Sequence, residues 1–452
     1  MYMLIDGELK DRQADTTWRQ RHRFSADAFV TALTSGGDSR VAIDNRTGTN
    51  KYFCPPTPAP GLVCLSSCTA SPVTATGFRR AADLYADLID TPALPNRTQA
   101  LEHARHNLAL RLLSAFGIAG RADAILCPSG TDALLTAATL LAGERPGQPI
   151  TAILPEASET GSGVPLAVAG RWFDAAAPVG MAPPRHAVRT VEIALRGADG
   201  NPRHPAEVDA DYAAAAAAAP GRCIVYLTHS SKTGLIAPMT PPPGADVIVD
   251  ACQGRIDPAT VAAYLRQGWP VVISGSKFFG GPAFAGAVLF PATRRTISSR
   301  PRFPGAANLG TVLRWAAALE AIEAFAPHAA AMADKLRDRT AAIRSGLEAI
   351  PALVPVGGLP ATGPTWSELP SIFTFAVRDP RETRRLLSVA ALRPLYESLA
   401  HNGILLGQPV GLGAFGGLRI AVGARDLSPD APADGGLPQV FAALEAAVTA
   451  SA

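Results

Sequence analysis

DVIVDACQGRIDPATVAAYLRQGWPVVISGSK, residues 246–277, holds two apolar runs, DVIVDA and PVVISG, that read as buried strands but end on charged residues. The first closes on Asp250 and the second runs into Ser274-Gly275-Ser276-Lys277. A carboxylate or an ammonium stripped of water is costly unless an opposite charge or a hydrogen-bond partner meets it. Whether the chain surrounds this pair with further strands of the same kind decides the fold.

It does. AILC, ITAILP, CIVYLT and GAVLFP are four more short apolar runs bounded by turns. Between the runs lie GFRRAADLYADLID, QALEHARHNLALRLLSAFG and TDALLTAATLLAG, with apolar residues at the i, i+3, i+4 spacing of amphipathic helices. DYAAAAAAAP is a short alanine helix stopped by proline. This alternation predicts βαβ units around a mostly parallel sheet, an α/β protein. A long helical region from Leu309 to about Ile350 follows, then SIFTFAV, another helix and GLRIAVG. The expected organisation is an N-terminal arm or loop segment (1–60), a large domain (61–305) and a smaller C-terminal α+β domain (306–452). The arm, with SGGDSRVAIDNRTGTNKYFCPPTPAPG, shows no periodicity and reads as a solvated loop, with Arg40, Arg46, Asn50 and Lys51 as residues able to close over a site.

Composition narrows the function. The chain has 452 residues, 48% hydrophobic and 17% charged, and a net charge of +3, so it can bury a large core and shows no basic block suited to nucleic acid. No apolar run reaches the ~18 residues of a membrane span, and the charged N-terminus lacks a signal-peptide core, so the expectation is a soluble, cytoplasmic protein. Cys54, Cys64, Cys68, Cys127, Cys223 and Cys252 are scattered singly, without CxxC pairs, and no metal site is expected.

Ligands of parallel α/β sheets gather at the carboxyl ends of the strands. After AILC comes Pro128-Ser129-Gly130-Thr131-Asp132, whose glycine turn and helix-start N–H groups suit a phosphate; an ordinary helix cap has the same look. Asp250 suits a protonated pyridine nitrogen, or simply caps a turn. A buried Lys277 has a depressed pKa and forms an imine with an aldehyde, whereas a lone lysine is usually a solvated end. Together, in this order, they match the needs of pyridoxal 5′-phosphate: a phosphate anchor, a partner for the ring nitrogen and an amine for the aldehyde.

From about Ser67 to Arg425 the chain resembles the fold-type I pyridoxal-phosphate enzymes, most closely the class V aminotransferase group that includes the cysteine desulfurases. Thr69-Ala70-Ser71 is similar to the family's segment near the substrate, and THSSKTGLIAP to the segment that carries an Asn on cofactor or substrate, with Ser231 in its place. The resemblance implies that Gly130, Thr131, Ser274 and Ser276 hold phosphate, Asp250 meets the pyridine nitrogen, Gln253 meets the 3′-oxygen and Lys277 is the Schiff-base lysine. In GGLRIAVGA it implies that Arg419 forks onto the substrate α-carboxylate. It also implies a homodimer with active sites at the interface.

Three departures qualify it. No His or aromatic ring occurs in ITAILPEASETGSGVP to stack on the cofactor, which leaves Ser158, Glu159 or Thr160 for that space. The family's Gly-Thr-x-Asn element appears as Gly305-Ala306-Ala307-Asn308, without the threonine. No cysteine follows Cys252, so a persulfide-forming desulfurase is not expected. The expected activity is that of an aminotransferase on a small amino acid, with Lys277 as general base; a lyase cleaving by β-elimination, or at C–S or C–C bonds, in secondary metabolism is the alternative. A catalytically silent scaffold would predict loss of Lys277 or Asp250, and both are present. The glycines of GLGAFGG (411–417) precede a short strand, not the helix that a dinucleotide site needs.

Overall fold

Apolar runs that stay buried on both faces become the central strands, as parallel sheets covered by helices require. The computed structural model describes residues 25–90, 96–173, 188–294, 308–358, 360–428, 431–432 and 434–450. Val63–Leu65 (β1) is followed by Ala122–Cys127 (β2), Ile150–Pro155 (β3), Val188–Ile193 (β4), Arg222–Thr228 (β5), Asp246–Ala251 (β6), Val271–Ser274 (β7) and Gly286–Pro291 (β8). Strands β2 to β8 form a seven-stranded sheet in the order β2-β8-β7-β6-β5-β3-β4. It is parallel except for β8, which runs antiparallel between β2 and β7. All six expected strands of this region are present. β4, whose residues are half exposed, was not legible as an apolar run.

The second sheet takes Leu353–Pro355 (β9), Ile372–Asp379 (β10), Glu382–Leu386 (β11), Ile404–Leu412 (β12) and Phe415–Ala421 (β13). Its path is β1-β12-β13-β10-β11, with β9 also on β10, so β1 pairs in parallel with a strand near the other end of the chain. The glycines of GLGAFGG lie in a β-hairpin, where Gly413 takes a positive φ of 68° between Leu412 and Phe415. The long helical region divides into Leu309–Phe325 and Met332–Ala349, broken by a short turn around Pro327. Among the described residues no helix is long and apolar enough to cross a membrane, and no cluster of side chains suited to a metal ion occurs.

Over its described residues, 25–60, the N-terminal segment is an ordered arm, and the part around Arg40 is not the solvated loop that its composition suggested. Helix Ala26–Leu33, capped by Ser25, buries Phe29 and Leu33, and Phe29 packs edge-on to Phe78 at 5.0 Å. Buried Arg314 donates to the carbonyls of Leu33 (2.8 Å) and Ser35 (2.6 Å). Asn308 caps the helix Leu309–Phe325 by accepting from the Thr311 N–H at 3.0 Å; Gly305, Ala306 and Ala307 lie outside the described residues. Aperiodic sequence hid an arm whose anchors are two apolar residues and another helix's arginine.

Gly286 ties the first sheet together. It pairs with Cys127 on one side and Ser274 on the other, and a Cβ there would lie 2.1 Å from the Ser129 carbonyl oxygen. Gly286→Ala is expected to lower stability by about 1–3 kcal/mol, the usual cost of overpacking. Chemical denaturation checks it: an unchanged midpoint would show that the approach of β8 to the loop is slack.

Candidate active site

Because β8 links β2 to β7 in register, the carboxyl ends of the parallel strands lie along one edge, and the residues after Cys127, Pro155, Thr228, Asp250 and Ser274 collect there. Asp250 is only 7% exposed. Its Oδ1 accepts from the Cys252 N–H at 3.0 Å, and its backbone carbonyl accepts from His229 N–H at 2.8 Å. Lys277 is partly exposed, followed by Phe278, which is fully buried and stacked on Trp366 at 4.7 Å. Loss of water lowers the Lys277 pKa; Cys252, Asp250 and Cys68 oppose this, and Arg419 adds to it.

At the β2 end, Ser129 caps the helix Gly130–Glu144 by accepting from the Asp132 N–H at 3.1 Å, and its hydroxyl donates to the Asp132 carboxylate at 2.7 Å. Burial pushes Asp132 up to about 6, with Arg40 among the groups opposing the shift. A Cβ at Gly130 would lie 2.7 Å from Cys252 Sγ, so the loop backbone is pressed against the turn after Asp250. Across the edge the Ser274 and Ser276 hydroxyls are 2.9 Å apart, both buried. A helix start and three hydroxyls, those of Thr131, Ser274 and Ser276, make an anion cradle.

The arm supplies its cation. Arg40 is 6% exposed, donates from Nη1 to Thr131 Oγ1 at 3.2 Å and pairs with Asp38, its Nε 2.9 Å from Oδ1. Its guanidinium lies 4.0 Å from the centre of the Phe173 ring and 4.9 Å from that of Phe284. Of the other arm residues singled out in the sequence, Asn50 is buried and structural, accepting from the N–H groups of Tyr52 (2.9 Å) and Cys54 (3.2 Å). Arg46 is exposed, and Lys51 lies 5.7 Å from the Phe173 ring.

At the opposite side Arg419, on β13 and 2% exposed, donates from Nη2 to Thr69 Oγ1 (3.2 Å) and the Gln408 carbonyl (2.7 Å), and from Nη1 to the Lys232 carbonyl (3.0 Å). Its Nε is buried without a partner. Gln253 donates to the Cys68 carbonyl at 3.1 Å and accepts from Arg255 at 3.2 Å. The structure thus brings Thr69, Gln253 and Arg419 to one wall.

Two of the sequence candidates bond within the loop. Ser231, expected at cofactor or substrate, donates its hydroxyl to Glu159 at 2.6 Å and accepts from the N–H groups of Thr233 (3.2 Å) and Leu235 (3.0 Å). Glu159 does not fill the space left by the missing ring: 1% exposed, it turns to Arg196, 2.6 Å away, and also accepts from Thr233 at 2.6 Å. A buried cation on a neighbouring segment outcompetes the site for that carboxylate. Thr160 donates to the Glu156 carbonyl at 3.3 Å, and Ser158 Oγ is buried without a partner.

The sequence reading passed over Lys232, beside Ser231. Its ammonium donates to the Ala157 carbonyl at 2.8 Å, which brings it into the loop after β3. Desolvation lowers it to about 7, helped by Arg419 and Lys277 and opposed by Glu159 and Cys68. The signal was a lysine directly after a strand end, the same feature that marked Lys277. A separate cavity of about 600 Å³, lined by His229, Thr233, Arg255, Ser371 and Thr374 among others, includes neither Lys277 nor Asp250.

No protein-family model matches the sequence, and no curated protein matches it. Solved structures do. A mutant of C-DES, with glycine covalently linked to its PLP cofactor, aligns with a TM-score of 0.57 at 14% identity, over 85% of this chain and 97% of that one. The cystine C-S lyase C-DES with its product cysteine persulfide gives 0.56 at 15% identity, over 85% and 98%. A NifS-like protein from Rickettsia africae gives 0.56 at 11% identity, over 86% and 99%. The architecture is the fold of the fold-type I pyridoxal-phosphate enzymes.

Glu159→Gln would leave Arg196 charged and buried without a counterion. The expected loss is about 3–5 kcal/mol in chemical denaturation, partly recovered in the double variant Glu159→Gln/Arg196→Met. Equal stability of the single variant and the wild type would mean that the pair contributes nothing to the loop.

Proposed function

We propose that the chain is a pyridoxal-phosphate-dependent enzyme acting on a small amino acid, an aminotransferase in the first reading. The observation that carries this is the meeting, on one strand-end edge, of a buried acid, a desolvated amine and an anion cradle. The residues fit the cofactor. Two buried hydroxyls, Ser274 and Ser276, bond each other beside the helix start, and the Arg40 cation reaches the cradle at Thr131. Bound there, pyridoxal 5′-phosphate would supply an electron sink for the α-carbon of an amino acid.

Each residue then has a task. Gly130, Thr131, Ser274, Ser276 and Arg40 would hold the phosphate. Asp250 would meet the ring nitrogen and Gln253 the 3′-oxygen. Lys277 would be the Schiff-base lysine and, as a free amine of lowered pKa, the base that carries the α-proton. Arg419 takes the α-carboxylate on its planar fork, with Thr69 steadying it. Phe278, the residue after Lys277, is anchored in the core by stacking on Trp366, which fixes the backbone that carries the lysine.

The likeness to a structure described as a cystine C-S lyase supports a second reading, a lyase that uses the same residues. A homodimer in the cytoplasm, and a large domain that ends near residue 305, complete the proposal.

The purified protein supplied with the cofactor is expected to show visible absorbance that borohydride fixes as a pyridoxyl label on Lys277, and Lys277→Ala is expected to lack the label. Single amino acids then separate the readings: pyridoxamine phosphate with an oxo acid marks transamination, and a cleaved substrate with unchanged cofactor marks a lyase. A colourless protein, or a label on another lysine, overturns the assignment. Arg40→Gln is expected to weaken binding of the phosphorylated cofactor by roughly 10- to 100-fold, as loss of a charged hydrogen bond does, while the affinity for pyridoxal, which lacks the phosphate, changes little.

A further inference from the structure

We propose that Lys232 is a second anion clamp, and that the substrate is an α-amino acid with an acidic side chain. This rests on the function proposed above and adds a substrate class to it.

The argument is one of charge and placement. Lys232 is held from three sides: its N–H donates to the Glu159 carbonyl at 2.7 Å, its carbonyl receives Arg419 Nη1 at 3.0 Å, and its ammonium bonds the Ala157 carbonyl at 2.8 Å. None of these partners carries a negative charge. Glu159, the acid beside it, is spent: Oε1 is bound by Arg196, and Oε2 by Ser231 and Thr233. An ammonium has three donors, and Ala157 takes one.

Asp38 pairs with Arg40. On the proposed function Asp250 answers the ring nitrogen, Lys277 the aldehyde and Arg419 the α-carboxylate. Arg255, the buried cation beside Gln253, also lacks a carboxylate, but its five donors go to Ser371, Ser67, Gln253 and the Val422 carbonyl. Lys232 is the cation of this wall whose charged head makes a single bond, close enough to Arg419 and Lys277 for both to oppose its charge. A substrate with one carboxylate leaves that repulsion standing, and a second acidic group relieves it. Such a group also takes up the two free ammonium donors.

The site's own titration gives a second handle. The groups facing Lys232 are Arg419, Lys277, Glu159 and Cys68, and together with burial they put it at about 7. Clamping an anion needs the protonated form. Below that pH the preference for an acidic side chain is fully present, and above it the preference falls roughly tenfold per unit as each binding event must first take up a proton.

The test uses the cofactor-loaded protein and follows its visible spectrum in titrations with L-aspartate against L-asparagine and L-glutamate against L-glutamine. At least one acid is expected to bind tenfold or more tightly than its amide. Lys232→Gln is expected to erase the difference and its pH dependence, and Lys232→Arg to keep part of it. Equal affinities for acids and amides in the wild type would overturn the inference without the need for any variant. So would a preference that survives in Lys232→Gln, or a variant that slows turnover with the binding ratio intact, which would make Lys232 a proton carrier. A protein that never takes up the cofactor fails earlier, and that outcome rejects the proposed function itself.

Discussion

The site depends on one close approach. Because Gly286 has no side chain, β8 can run between β2 and β7 with its backbone against the Ser129 carbonyl. That single absence of a Cβ brings the helix start at Gly130 and the hydroxyls of Ser274 and Ser276 to the same edge. Asp250 and Lys277, on the next strand and the next turn, lie at that edge too. Charged groups tolerate burial there because the surrounding dipoles replace the water they lose.

What could be read in the sequence was what is local. Six apolar runs became strands, most of them buried on both faces, and the polar residues that follow the five parallel ones came to the common edge. The non-local parts were illegible. Nothing in VCL (63–65) says that it pairs with ILL (404–406), and a half-exposed strand such as β4 has no apolar run to announce it. Glu159 was one of three residues, with Ser158 and Thr160, left for the space of the missing ring; its partner Arg196 lies 37 residues further along the chain.

The N-terminal arm shows the same limit from another side. Its composition is that of a loop, and by that criterion Arg40 belonged in water. In the structure, two rings and an aspartate hold the guanidinium against Thr131, while Arg314 fastens the preceding helix by its carbonyls. Resemblance singled out Ser231, where a family asparagine stands, and passed over Lys232 one residue on, whose ammonium reaches the Ala157 carbonyl in the loop after β3.

The pairing of β1 with β12 bears on the order in which the molecule is completed during synthesis. Residues from Cys127 to Lys277 leave the ribosome long before Ile404–Leu412, so the edge that carries Ser129, Asp250 and Lys277 is made first. The wall that joins Thr69 to Arg419 cannot close until the last strands arrive, a contact of very long sequence separation. A growing chain thus completes one wall of this edge well before the other, and a premature stop ahead of Phe415–Ala421 leaves Lys277 in place without Arg419.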